Sequence, residues 1–427
     1  MAQDFVKEEQ HMNLADLLPL LCLAFTAFIF NTSEFIPVGL LTDIASSFAL
    51  TEAQTGMMIS IYAWGVMILS VPLMVFASRY DYRRILLGVV GIFLIGQIGS
   101  ALAPTFALLI AARLIVASAH AVFWSVATPA ASQIAGPKYS SLALSMVASG
   151  SSVAMVLGMP LGRAIGLALG WRMTFTSVAI ASFVALIGLA TTVPKMEKGE
   201  PFRVRALPQL FRNPALAALY IMTILGATGY YVGYSYIEPF LQQIGGLPAN
   251  LITIALTVFG LAGICGSILF SRCFDSHRVR FIHVVLAGLA AALLLLATAY
   301  FGFVAALIIC ALWGISATCF NISFQSEVIR DTPPDVSAVA MAIFSGLFNL
   351  GIGCGSFIGG LVTTGVGIGA VGFVGALFAF FASLQKSRDA LLSGKRIVKG
   401  HTAHIRQGLG SHRANVNASH LFKFLCS

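Results

Sequence analysis

The sequence predicts an all-α membrane protein of twelve transmembrane helices in two pseudo-symmetric six-helix bundles. Three observations predict it. Of 427 residues, 58% are hydrophobic and only 10% are charged, with a mean hydropathy of +0.91, which excludes ordinary soluble domains. The apolar residues also gather into twelve runs, each long enough to cross about 30 Å of hydrocarbon. Finally, similar segments recur at close to half the chain length.

The runs lie at about 17–41, 53–77, 85–103, 105–127, 142–162, 172–193, 214–237, 250–271, 281–300, 302–325, 336–362 and 366–384. A polar leader, 1–16, precedes them. The first run is too long for a signal-peptide core and follows acidic residues, so it reads as a retained anchor. Short connections favour antiparallel neighbours. The longest, 194–213, divides a six-helix unit at 17–193 from another at 214–385. From Lys386 to the end, eight Lys and Arg face one acid, Asp389. That tail, 386–427, reads as disordered or attracted to anionic headgroups. It carries +7 of the net +9, so the charge is no signature of nucleic-acid binding.

Placing both termini in the cytoplasm puts 22 of the 25 Lys and Arg on that side, as the positive-inside rule requires. Arg163 and Arg172 fall outside, and Arg113 falls within a span. The seven cysteines are scattered without a C-x-x-C, which predicts neither a disulfide framework nor a metal site. The four histidines of the tail have no ligand spacing. Gly367, Gly369 and Gly372 spell G-x-G-x-x-G inside an apolar run with no preceding strand, an accidental match. With no P-loop, no cofactor and no direct ATP drive are expected, and nothing resembles a catalytic nucleophile or a carboxylate pair.

The repeat is visible in FASRYD (Phe76 to Asp81) and FSRCFD (Phe270 to Asp275), 194 residues apart, each after an even-numbered run and each followed by arginines. Gly158 and Gly162 likewise match Gly355 and Gly359 at an offset of 197. Parallel repeats about an axis normal to the membrane place a substrate site near midplane, between the halves.

Ionisable groups inside spans are functional by default, because an unpaired charge there costs several kcal/mol or more. Arg113, Ala117, His120 and Trp124 are spaced 4, 3 and 4 and form one helical stripe. Glu34 in the first run lies at the same depth as Arg113 and is its expected partner. The pair reads as proton-linked, with a static ion pair as the alternative. His120 is a proton relay, a hydrogen-bond partner for substrate, or a packing residue.

A small polar substrate between the halves needs amide or acid groups for its hydrogen bonds and aromatic faces for its C–H surfaces. Candidates are Asn31, His120, Trp124, Tyr230, Tyr234, Glu238, Phe320, Asn321, Gln325 and Asn349, of which Tyr230, Tyr234 and Glu238 are four apart on the seventh run. Asp81 with Arg83 and Arg84, and Asp275 in the second copy, read as charge contacts that close the cytoplasmic side. Gly150, Ala154, Gly158 and Gly162, with Pro160 among them, give a smooth face for close helix approach.

The stretches FIFNTSEFIPVGLLTDIA (Phe28 to Ala45), SAHAVFWS (Ser118 to Ser125), LGMPLGRAIG (Leu157 to Gly166), GWRMTF (Gly170 to Phe175), YSYIEPF (Tyr234 to Phe240) and AMAIFSGLFNLGIG (Ala340 to Gly353) resemble bacterial sugar-efflux transporters. These belong to the drug:proton antiporter branch of the major facilitator superfamily. The likeness covers about residues 13–385. It implies the major facilitator fold, export of arabinose-like sugars and thiogalactosides in exchange for protons, and a monomer in the inner membrane. A phenicol-type multidrug antiporter of the same fold is the alternative. The superfamily loop motif keeps Asp81, Arg83 and Arg84 without its glycines. Val116 and Ala117 replace the usual Gln and Gly after Arg113, and Met159 interrupts the antiporter Gly-Pro.

Overall fold

The computed structural model describes residues 14–196, 198, 210, 212–333 and 336–384. The segments read as leader, linker and tail lie largely outside the described residues. Numbered by membrane crossing, the helices are α1 (Leu14–Gly39), α2 (Glu52–Ala77), α3 (Tyr82–Leu102), α4 (Phe106–Gly136), α5 (Tyr139–Leu169) and α6 (Trp171–Thr192). They continue with α7 (Pro214–Tyr234), α8 (Ala249–Cys273), α9 (Arg278–Leu295), α10 (Phe303–Arg330), α11 (Ser337–Gly365) and α12 (Val371–Leu384). Among the described residues, eleven helices are long and apolar enough to span a bilayer, and a shorter apolar helix ends the series.

Local chemistry sets the ends. Thr51 and Gln54 form a reciprocal capping box at the start of α2, Asp81 caps α3 and Thr105 caps α4 through their side chains, and Asn213 caps α7 ahead of Pro214. Each satisfies amide groups that the first helical turn leaves without partners. At Gly136 the backbone takes φ 69° and ψ 174°. That geometry suits glycine, and it turns the chain from α4 directly into α5.

The two halves repeat more closely than the sequence motifs suggest. After α1 the backbone leaves helical geometry at Leu40 (φ −127°, ψ 21°) and resumes as a short helix, Leu41–Ser47. After α7 it does the same at Tyr236 (φ −117°, ψ 14°), followed by Ile237–Gln243. The offset is 237 − 41 = 196 residues. This corrects the reading of Tyr230, Tyr234 and Glu238 as one stripe: Glu238 lies beyond the break. Pro239 supplies the reason. Its ring conflicts with a continuous helix through the carbonyl of Ser235, four residues earlier.

The glycine face of α5 packs on α1, and the matching face of α11 packs on α7. A methyl group on Gly158 would lie 2.7 Å from Thr32 Oγ1, and one on Gly162 would lie 2.6 Å from Ile36. On α11, a methyl on Gly355 would lie 2.5 Å from the Thr228 carbonyl oxygen, and one on Gly359 would lie 2.7 Å from that of Val232. Gly150 meets the Ala24 backbone in the same way, and Ala154 and Pro160 are buried between these positions.

Helix alternation puts the loops at 78–81 and 274–277 on one side, here called the basic face. The loops at 40–51 and 244–248 lie on the opposite, far face. One apolar core fills α1 to α6, and another fills the part of α7 to α12 nearest the basic face. A third joins the halves, bringing Val38, Leu41, Ile59, Ala63 and Met159 against Tyr231, Tyr234, Phe259 and Ile352.

Candidate functional site

α1 and α4 carry the central groups. Glu34 on α1 has a side chain 16% exposed, and its Oε2 lies 3.6 Å from His120 Nε2 on α4. One turn along α4, Trp124 donates its indole N–H to the same Nε2 at 2.9 Å. An Nε2 that accepts this bond in a neutral imidazole has its own proton on Nδ1, and Nδ1 has no hydrogen-bond partner. The single lone pair of Nε2 is therefore taken by the indole, with the Glu34 carboxyl just beyond hydrogen-bond distance. Phe30 and Tyr62 pack against the imidazole ring.

Arg113 departs from the expected direct pair with Glu34. Its Nη1 donates to Ser33 Oγ at 3.0 Å and its Nη2 to the Ser33 carbonyl at 3.1 Å. Gln97 on α3 donates to the same Ser33 hydroxyl. The guanidinium carbon lies 4.6 Å from the centre of the Tyr62 ring and 5.7 Å from that of Phe175. Equal depth along two helices does not by itself make a pair, because adjacent helical residues point about 100° apart. Ser33 faces α3 and α4, whereas Glu34 faces the space between the halves. Two oxygens and two aromatic faces answer the buried charge instead of a carboxylate.

Glu34 and Arg113 still line one cavity, with Tyr62 from α2 and Tyr231 and Ile352 from the other half. It encloses about 10 Å³, the scale of a single water.

The remaining candidates divide. Asn31 is half-buried on α1, and Asn321 and Gln325 are half-buried on α10, where the Gln325 amide donates to Asn321. Asn349 donates to the Ser345 carbonyl, and its buried Oδ1 has no partner. Tyr230 and Tyr234 do not face the Glu34 cavity. They pack in an aromatic cluster with Trp313, and Tyr234 also packs on Phe259 and reaches Met159 through its hydroxyl. Phe320 is fully buried in the core against Phe324 and Phe348.

Glu238 is not free for substrate. Its Oε1 pairs with Arg163 Nη1 at 3.1 Å, and its Oε2 accepts from the Thr42 N–H and hydroxyl. Arg163 is correspondingly buried, not in an outer loop. The apolar residues Ala164 to Leu169 that follow it are the signal that the span continues.

At the basic face, Asp81 pairs with Arg84 of its own helix at 3.1 Å, and Arg83 donates to the Ala190 carbonyl. Asp275 lies 3.9 Å from Arg330. These contacts each stay within one half. Buried Glu327 pairs with Arg278 at 2.7 Å nearby. Sequence reasoning misses Ser33, Tyr62, Gln97 and Tyr231, whose residue types are too common in helices to stand out.

Twelve helices in two repeated sets, with ionisable groups enclosed between them, define a multi-pass secondary transporter. The model of the Major Facilitator Superfamily matches residues 23–347, and the chain belongs to that family. It is accordingly a transporter, not an enzyme. Similar solved structures include a bacterial homolog of the human lysosomal transporter Spinster, described as inward-facing and unoccupied. That likeness has a TM-score of 0.71 at 15% identity, covering 89% of this chain and 98% of that one. A D-xylose-proton symporter matches with a TM-score of 0.68 at 14% identity, over 86% of this chain and 96% of its own. The nucleoside transporter NupG matches with a TM-score of 0.65 at 17% identity, over 88% and 99%. At such identities the likeness concerns the fold.

Proposed function

We propose that this protein exports small sugars, arabinose-like sugars and thiogalactosides among them, in exchange for protons across the bacterial inner membrane. The supporting observation is Glu34 placed 3.6 Å from His120 Nε2 and lining, with Arg113, a water-sized cavity between the halves. A protonated Glu34 competes with the Trp124 indole for the Nε2 lone pair, and an ionised one gains the field of Arg113. A space of that size admits a proton carrier and excludes a sugar ring. The sugar assignment rests on the resemblance to the sugar-efflux branch. Asn31, Asn321, Gln325 and Asn349 are the neutral amides suited to hydroxyls, and the Trp124 ring offers an aromatic face for C–H surfaces.

In this reading the six-helix units 17–193 and 214–385, joined by the cytoplasmic linker 194–213, rock against each other, as a monomer with both termini, including the 386–427 tail, in the cytoplasm. Asp81, Arg83, Arg84 and Asp275 engage across the basic face when it closes. A phenicol-type multidrug antiporter is the competing reading, favoured by the aromatic cluster of Tyr230, Tyr234, Phe259 and Trp313.

Proteoliposomes loaded with a pH dye and given a sugar gradient test the proposal. Proton movement that requires both sugar and Glu34, and is lost in Glu34→Gln, supports antiport. Sugar flux without proton flux makes the protein a facilitator, and phenicol flux without sugar flux selects the competing reading.

A further inference from the structure

We infer that Arg163, Glu238 and Thr42 form the ionic lock of the far-face gate. Arg163 and Thr42 come from the first half and Glu238 from the second, so the contacts must part when that face opens. Both charged side chains are 2% exposed. The carboxylate is satisfied at both oxygens, by Arg163 at 3.1 Å and by the Thr42 amide and hydroxyl at 3.2 and 2.8 Å. Arg163 also donates to the Gly39 carbonyl. Asp43, just beyond α1, is held above the ordinary carboxylate range by burial, while the Arg163 charge pulls it back.

Neighbouring contacts follow the same seam. Gln243 of the second half donates to Glu52 of the first at 3.0 Å, and Ser356 of α11 donates to the Gly56 carbonyl of α2 at 3.2 Å.

A buried ion pair suits a reversible gate. Desolvation offsets much of its attraction, so separating the partners into water costs little net free energy. Removing the carboxylate is different, because it leaves the buried Arg163 charge with only the Gly39 carbonyl and the more distant Asp43 whenever the face is closed. A single neutralisation therefore opens the gate, whereas neutralising both partners restores closure. An ordinary packing contact gives no such reversal.

The test uses the full chain with its native cysteines replaced and spin labels at Leu169→Cys and Asn250→Cys. Both positions are exposed, one in each half, and neither touches the lock. In wild type, pulsed dipolar spectroscopy should show a mainly short distance. Glu238→Gln should raise the long-distance population by about tenfold or more, and adding Arg163→Gln should bring it back down. If Glu238→Gln does not fold, Thr42→Val carries the test at the same labels, and a smaller rise is expected because both charges remain. An unchanged distribution in the folded single variant, or a double variant as open as the single one, overturns the inference. The readout is independent of sugar and proton flux, so it stands or falls separately from the proposed substrate and coupling.

Discussion

The two halves share a scaffold but not a chemistry. Both break their first helix at equivalent points, Leu40 and Tyr236, and both seat a glycine face of the fifth helix against the first. At the 196-residue offset of these breaks, however, Glu34 corresponds to Tyr230, and α10 carries no Lys, Arg or His before Arg330 to match Arg113 and His120 of α4. The repeated part is what two rocking bodies need: close helix approach and a turn at the same depth. The unrepeated part places the central ionisable cluster in the first half. Under the proposed mechanism, protons are handled in the first half, while neutral groups of both halves meet substrate.

Substitutions can break or sharpen this comparison. The largest effect is expected from Glu34→Gln, which should lower proton-coupled flux by about 100-fold or more, as for a lost proton-transfer group. Tyr230→Phe at the corresponding position should leave coupling intact. Comparable losses in the two variants would erase the proposed asymmetry.

Gly158→Ala and Gly355→Ala probe the shared scaffold. Each should cost about 1–3 kcal/mol through overpacking, read as a lower thermal midpoint in detergent, with similar losses in the two halves. Arg113→Lys keeps a charge but not the planar fork that spans both Ser33 oxygens. It should cost about 1–2 kcal/mol in the same melting assay. The smallest effect is expected from Trp124→Phe, which removes the indole donor to His120. A change of about fivefold in coupled flux, corresponding to roughly 1 kcal/mol for a hydrogen bond, would fit that role.

The helix count is legible in the sequence because the bilayer requires long apolar runs, and the Gly158 and Gly162 face is legible because close packing demands small side chains at four-residue spacing. The partner of Arg113 is not. Depth along α1 does not distinguish Ser33 from Glu34, and the direction around the helix decides between them. Glu238 misleads because the seventh apolar run conceals a break before Pro239, and Arg163 because a charge near a predicted loop resembles a boundary. These errors share one cause: hydropathy reports length and depth, while contact depends on local backbone turns and on the opposite half of the molecule.

The most direct test of the asymmetric site is proton release when sugar binds to purified protein in weakly buffered detergent solution. The account predicts release from wild type, none from Glu34→Gln, and wild-type release from Tyr230→Phe. Release that persists in folded, sugar-binding Glu34→Gln would contradict it and place the proton elsewhere.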